Sequence, residues 1–234
     1  MKPTALLFSL MLLPFSIPTR AQSARIDTVS VGELQMSAKA VRAFTKGSEL
    51  LAHGDAAASV DYLRKAIELA PANFHPYHNL GLAYFQLGQR DCAAAAFQKA
   101  VELTRRAYAP SLFGLAMIFY QRSDYSGAKV LVEQGLTVEP SSEVGKYCLG
   151  LVQFSMGDLV GAERSALEAV SRGNESDAYV LLGHVHERTG RPEAVVSDVA
   201  NYLKMEPNGM LRVDAMALLQ RARMQMSSQV AVVR

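Results

Sequence analysis

Small residues return in this sequence at an almost constant interval of 33 to 35 positions. One column consists of residues suited to turns: Gly54, Gly88, Ser123, Gly157 and Gly190. A second column with the same steps holds residues suited to close helix packing: Gly47, Gly81, Ala116, Gly150 and Gly183. A third column closes each unit with Pro71, Arg105, Pro140, Asn174 and Pro207. A fixed period of this length indicates five copies of one two-helix unit and excludes a bundle of unequal helices.

The stretch from Tyr77 to Ala100 shows the repeated pattern most completely. One face of its first helix carries Tyr77, Leu80, Gly81 and Tyr84, and after the turn at Gly88 its second helix carries Ala93, Phe97 and Ala100. This order resembles the signature of the tetratricopeptide repeat, with tyrosine in place of the usual tryptophan and Arg105 in place of the closing proline. The resemblance covers residues 40–207.

The resemblance implies an all-α fold, a right-handed α-solenoid of five tetratricopeptide hairpins followed by a C-terminal capping helix. The predicted segments are a signal peptide at 1–21, an extended leader at 22–36, the repeats at 37–207, the capping helix at 209–227 and a frayed tail at 228–234. The five units span about 40–73, 74–108, 109–142, 143–175 and 176–208. In the capping helix, Leu211, Ala215, Leu218 and Ala222 form the apolar stripe, and Arg212, Gln220, Arg221 and Arg223 are expected to form a polar outer face.

The first 21 residues have the layout of a secretory signal peptide. Lys2 precedes an apolar run from Ala5 to Ile17, and Ala21 stands at the expected cleavage point. The run has 13 residues, fewer than the roughly 20 that a membrane-spanning helix needs. We therefore expect an exported bacterial protein, periplasmic or secreted, that begins at Gln22 and has no transmembrane segment.

The charge of the chain disfavours nucleic acid as a partner. The formal net charge is +2, and residues 1–21 contain two positive charges and no negative charge, so the mature chain is neutral. Binding to phosphate backbones needs a basic surface.

The sequence predicts no enzyme, no metal and no cofactor. It has no glycine-rich phosphate loop and no Gly-x-Ser-x-Gly elbow. His184 and His186 are two apart and point to different sides of a helix, and Pro76 places His75 at the helix entrance, apart from His78. Cys92 and Cys148 lie nearly two repeats apart, so we expect two small buried thiols and no disulfide.

A second set of residues recurs beside the packing face of each first helix. In the family that the sequence resembles, this stripe faces the concave groove. The predicted partner-binding residues form three rows: Phe44, His78, Phe113 and Tyr147 in row one, Leu82, Met117 and Leu151 in row two, and Phe85, Tyr120 and Phe154 in row three. Since first helices that are apolar on both faces need a cover, an apolar peptide or a partner helix is one explanation. Burial of the stripe between neighbouring units is the other.

The sequence does not identify the occupant of the predicted groove. The leader from Thr28 to Met36, the tail with Val230, Val232 and Val233, or a second copy in a homodimer could each cover it. Lysine and asparagine of the family's carboxylate clamp are replaced by Phe44 and Ser48, which disfavours an acidic tail as ligand. We expect a non-catalytic protein-interaction scaffold of the cell envelope. The alternative is a structural subunit that associates with itself in an envelope assembly.

Overall fold

The described residues form eleven α-helices and no strand. A computed structural model describes residues 36–171, 173 and 175–232, with side chains to Ser228. The helices are α1 (Ala38–Ala52), α2 (Ala56–Leu69), α3 (Phe74–Gln86), α4 (Arg90–Leu103), α5 (Ala109–Gln121), α6 (Tyr125–Val138), α7 (Glu143–Met156), α8 (Leu159–Val170), α9 (Asp177–Arg188), α10 (Pro192–Met205) and α11 (Arg212–Val232). The helices from α1 to α10 form five hairpins, in which each odd-numbered helix packs against the helix that follows it. This confirms the all-α class and the five predicted repeats.

The turns within the hairpins follow from the column of small residues. Gly88 and Gly157 adopt positive φ angles of 70° and 85°, a conformation in which glycine has no steric penalty. Ser123 stands at the same repeat position and also has a positive φ, 62°. Asp124 and Asp158 then cap the following helices, since their side chains accept hydrogen bonds from backbone amides three residues later. Turn and cap together fix where α6 and α8 begin.

The chain divides into two compact units. The N-terminal unit, residues 36–140, contains α1 to α6, and the C-terminal unit, residues 141–232, contains α7 to α11. Within the N-terminal unit, α3 contacts both helices of the preceding hairpin, and α5 does the same. Within the C-terminal unit, α9 contacts α7 and α8.

Phe97 is the central packing residue of the N-terminal unit. It is fully buried, and a Cβ atom added at Gly81 of α3 would lie 2.7 Å from its ring. A Cβ added at Gly114 of α5 would lie 2.6 Å from the same ring. The ring therefore occupies space that two glycines leave open on two successive first helices.

The last helix differs from the predicted cap in two ways. It begins at Arg212 and continues to Val232, so most of the predicted frayed tail is helical. Its buried side is the predicted one, because Leu211, Ala215, Leu218 and Ala222 pack with Val180, Val199 and Tyr202. Of the residues predicted for the polar outer face, Arg212, Gln220 and Arg223 are exposed and Arg221 is half-buried. The prediction was wrong in that this surface also exposes Val213, Met216 and Met224.

The cysteines are free, and one prediction about them was wrong. Cys148 is buried, but Cys92 is exposed at the start of α4. Burial raises the pKa of the Cys148 thiol, and the neighbouring charge of Glu175 raises it further. The predicted signal peptide and nearly all of the predicted leader lie outside the described residues.

Candidate functional site

Two residues of predicted row one, His78 and Phe113, pack inside the N-terminal unit. The Nδ1 atom of His78 lies 3.0 Å from Ser111 Oγ, and its ring centroid lies 5.7 Å from that of Phe97. Burial, with a smaller contribution from the charge of His75, lowers the pKa of His78 to about 3, so its imidazole is neutral near pH 7. The Phe113 ring lies against Gly135 of α6, where an added Cβ would overlap it. These two side chains belong to the core.

The other predicted residues are also largely covered. Phe44 is half-buried, while the remaining members of the three rows are buried: Leu82, Phe85, Met117, Tyr120, Tyr147, Leu151 and Phe154. In the C-terminal unit, the Phe154 ring centroid lies 5.0 Å from the guanidinium carbon of Arg188 and 6.2 Å from the ring of His184. Burial favours the interpretation in which most of the stripe packs internally. Partner binding by these residues stays a prediction.

A partly exposed aromatic surface lies beside Phe44, and sequence analysis did not predict it. We define the aromatic cluster as Phe44, Phe74, His75 and Tyr108, all half-buried. Ring centroids are 3.9 Å apart for Phe74 and His75, 4.7 Å for Phe74 and Tyr108, and 6.1 Å for Phe44 and His75. Three successive hairpin units contribute to it, because the cluster residues lie in α1, at the start of α3, and just before α5. It offers a mainly aromatic surface that remains partly accessible.

The histidines of α9 are held by carboxylates. His184 Nε2 lies 2.7 Å from Asp214 Oδ2 of α11. His186 has two partners, Asp198 at 2.5 Å from its Nδ1 atom and Glu163 at 3.2 Å from its Nε2 atom. The hydrogen bond to Asp198 raises the pKa of His186, and the hydrogen bonds from Arg191 lower the pKa of Glu163 to about 2.

These pairs join helices of the C-terminal unit. Glu187 of α9 also accepts hydrogen bonds from the Arg221 guanidinium of α11. Among the residues that the structure describes, no group of three or more His, Cys, Asp or Glu side chains is arranged to hold a metal ion. The hydrogen bonds of His184, His186 and Glu187 join α9 to α10 and α11.

Family comparison agrees with the repeat pattern. The sequence model of the TPR repeat matches residues 47–88, and that of the tetratricopeptide repeat matches residues 74–106. A curated relative, the TPR repeat-containing protein MJ1428 of Methanocaldococcus jannaschii, is 24% identical over 122 residues, which are 52% of this chain and 21% of the relative. The chain aligns with no more than 38% of the length of the first curated relatives.

Solved structures show the same fold. TTC0263, a thermophilic TPR protein of Thermus thermophilus, is 19% identical and superimposes with a TM-score of 0.69, covering 77% of this chain and 99% of its own. YrrB, described as a TPR protein with an unusual peptide-binding site, is 15% identical with a TM-score of 0.53, covering 76% of this chain and 92% of its own. At these identities the likeness concerns the fold.

Proposed function

Because this chain is a tetratricopeptide repeat protein with an all-α fold of the solenoid class, we propose that it is a non-catalytic scaffold that binds an apolar segment of a partner protein. Proteins of this repeat class generally mediate protein–protein interactions, and YrrB is described as having a peptide-binding site. The observation that carries the proposal is the aromatic cluster of Phe44, Phe74, His75 and Tyr108.

The cluster has the chemistry of a binding anchor. Its rings already contact one another in the free protein, so the site is preorganised and binding needs little rearrangement of these side chains. Half-buried aromatic side chains lose little further conformational freedom when a ligand covers them, and aromatic residues commonly dominate the energy of protein interfaces. A ligand with apolar side chains fits this surface better than an acidic tail, because three of its four side chains are Phe or Tyr rings and none is lysine or arginine.

We expect the double substitution Phe74→Ser/Tyr108→Ser to weaken peptide binding at least tenfold. An aromatic anchor commonly contributes more than about 1.4 kcal/mol, which corresponds to a tenfold change in affinity. A displayed library of extended peptides is first selected on the wild-type protein. Selected peptides that contain tryptophan are then titrated by fluorescence, since the chain itself has no tryptophan.

The matched control is Tyr62→Ser, which removes an exposed ring from α2 in the same unit. It should bind the peptides like the wild type. Far-ultraviolet circular dichroism verifies that the double variant keeps its helices. Equal binding by the wild type and a folded double variant would show that the aromatic cluster is not the peptide-binding site.

We also propose that the protein acts in the cell envelope, after export directed by residues 1–21. The support is the order of Lys2, the apolar run from Ala5 to Ile17 and Ala21. Among the described residues, none of the helices is long and apolar enough to span a membrane. N-terminal sequencing of protein purified from its natural host should begin at Gln22. Protein that retains Lys2 and remains in the cytosolic fraction would contradict export.

A further inference from the structure

The last helix, α11, occupies the position of a sixth first helix. It contacts α9 and α10, as α5 contacts the two helices of the hairpin before it. A step of 34 residues from Gly183 of α9 leads to Ala217 of α11, so the repeat register continues into this helix. In each of the five hairpins, the second helix contacts the first helix of its own unit. Nothing in the described chain takes that place on α11.

The face of α11 that a second helix would cover is mostly apolar and largely exposed. We define this terminal face as Val213, Met216, Ala217, Gln220 and Met224. In α5 the residues in the same register as Val213 and Met216 are Leu112 and Leu115, which are 0% and 4% exposed. Val213 is 79% exposed and Met216 is 42% exposed. Val213 and Met216 are apolar like their counterparts in α5, but no helix of the described part of the chain covers them.

We propose that the terminal face of α11 binds an amphipathic helix of a partner protein, which docks as the missing second helix of a sixth repeat. The hairpins of this chain indicate what such a helix needs. On the second helices α2, α4, α6 and α8 the buried residues follow one spacing, a small residue, an apolar residue four positions on and a small residue three further on, as in Ala93, Phe97 and Ala100. The same spacing occurs in Ala128, Val132 and Gly135. Small residues at this spacing let the partner helix approach the backbone of α11 at Ala217.

The charged residues beside the terminal face indicate which residues the partner helix should carry at its edges. Arg212 and Arg223 are exposed along one border of the terminal face. On the opposite border, Asp214 and Arg221 are engaged with His184 and Glu187 of α9. The accessible charge beside the face is therefore positive, and acidic residues on the partner helix complement it.

A second copy of this chain is the less suitable occupant. Two copies of α11 packed face to face would bring Arg212 and Arg223 of both copies to one interface, which is a like-charge arrangement. The second copy would also present Met216 and Met224 to α11, whereas the second helices α2, α4, α6 and α8 present small residues to their first helices. The inference is independent of the aromatic cluster, which lies in the other unit.

Two synthetic peptides test the proposal with the full chain. The first has the sequence of α4, Arg90–Leu103, with Arg90→Glu, Cys92→Ser and Lys99→Glu, and therefore keeps the small–apolar–small spacing with acidic flanks. The second keeps Arg90 and Lys99 and carries Cys92→Ser, Asp91→Lys and Glu102→Lys. Fluorescence anisotropy of dye-labelled peptides measures both affinities. We expect the acidic peptide to bind at least tenfold more tightly than the basic one, with a difference that shrinks as salt is added.

Paired variants locate the binding site. Val213→Ser/Met216→Ser should weaken binding of the acidic peptide at least tenfold. The matched control is Val160→Ser/Leu167→Ser on α8 of the same unit, where the two side chains are 80% and 50% exposed, and it should bind like the wild type. Equal affinity of the two paired variants, equal affinity for the two peptides, or no binding would overturn the proposal. It would also be overturned by a dimer in sedimentation equilibrium that Val213→Ser/Met216→Ser converts to a monomer, because a second copy would then be the occupant.

Discussion

Phe97→Ala is expected to lower the free energy of unfolding of the N-terminal unit by about 3–5 kcal/mol, the range for a buried phenylalanine. The wild-type ring fills the space left by Gly81 and Gly114 on two successive first helices. Glycines have no side chain that could move into the cavity, so the surrounding structure can collapse only by shifting helices. We therefore place the effect in the upper part of the range.

Urea unfolding followed by circular dichroism at 222 nm measures this loss. Hydrogen exchange with mass spectrometry then assigns it to residues 36–140, where opening should become easier in α3, α4 and α5. Phe97→Leu should lose less than half as much, because it keeps most of the buried volume. The exposed Tyr62 on α2 supplies the control, and Tyr62→Ala should change the stability by no more than about 0.5 kcal/mol. A loss under 1 kcal/mol for Phe97→Ala would contradict the central packing role of the ring.

The repeat period predicted the fold because it constrains every hairpin in the same way. The period predicts that Gly81 and Phe97 lie against each other where the two helices of their unit cross, and the structure confirms this contact. Turn positions followed from the same column, including the positive φ of Ser123. Arg105 adopts a positive φ of 51° at the position where three of the other units have proline, so the unit ends there without the expected residue.

The burial of the predicted stripe could not be deduced from the apolar character of its residues. A large apolar side chain needs a cover, but its identity does not say whether the cover is the same chain or another protein. The sequence did contain one unused signal: Gly135 stands where α4 has Ala100, and Phe113 fills the space that this change opens. A large residue paired with a glycine indicates core packing.

The aromatic cluster and the terminal face were missed for different reasons. Phe74 and Tyr108 are 34 residues apart, but the step between their two units is 35 residues, so Tyr108 corresponds to Asn73 and the repeat columns do not bring the two rings together. Among the four residues that predict a polar outer face of α11, Arg221 is the one that the structure turns toward Glu187, while Arg212, Gln220 and Arg223 are exposed. An arginine on a terminal helix suggests a solvent-exposed side chain, but Glu187, one repeat earlier, offers Arg221 a carboxylate partner.

Glu175 is the site of the second large effect, a pH dependence of stability in the C-terminal unit. The side chain lies between α8 and α9 and is only 4% exposed. Burial raises its pKa to about 8 from an ordinary value near 4.5, and the charges of Asp177 and Glu143 act in the same direction. The pKa of Asp177 is itself raised to about 6, by burial and then by Glu206. The folded chain therefore holds protons that the unfolded chain releases.

The sign of the effect follows from this difference in proton binding. Below about pH 4.5 the Glu175 carboxyl is protonated in both the folded and the unfolded chain, so it does not change the stability. As pH rises from about 4.5 to about 8, only the unfolded chain releases the proton, and the free energy of unfolding falls. Glu175→Gln keeps the shape of the side chain and removes the titration. At pH 8 the variant should be more stable than the wild type by on the order of 2–4 kcal/mol, since each unit of pKa shift corresponds to about 1.4 kcal/mol. At pH 4.5 the two proteins should be nearly equal.

Urea unfolding at pH 4.5, 6.5 and 8 gives the slope of stability against pH for each protein. Glu193→Gln on α10 is the matched control, because Glu193 is exposed in the same unit, and it should keep the wild-type slope. Below pH 6 the stability of Glu175→Gln should still fall as pH rises, because the pKa of Asp177 is also raised. Adding Asp177→Asn should reduce this remaining slope of stability against pH. If Glu175→Gln has the same slope as the wild type between pH 6.5 and 8, the buried carboxyl of Glu175 does not control the alkaline stability of this unit.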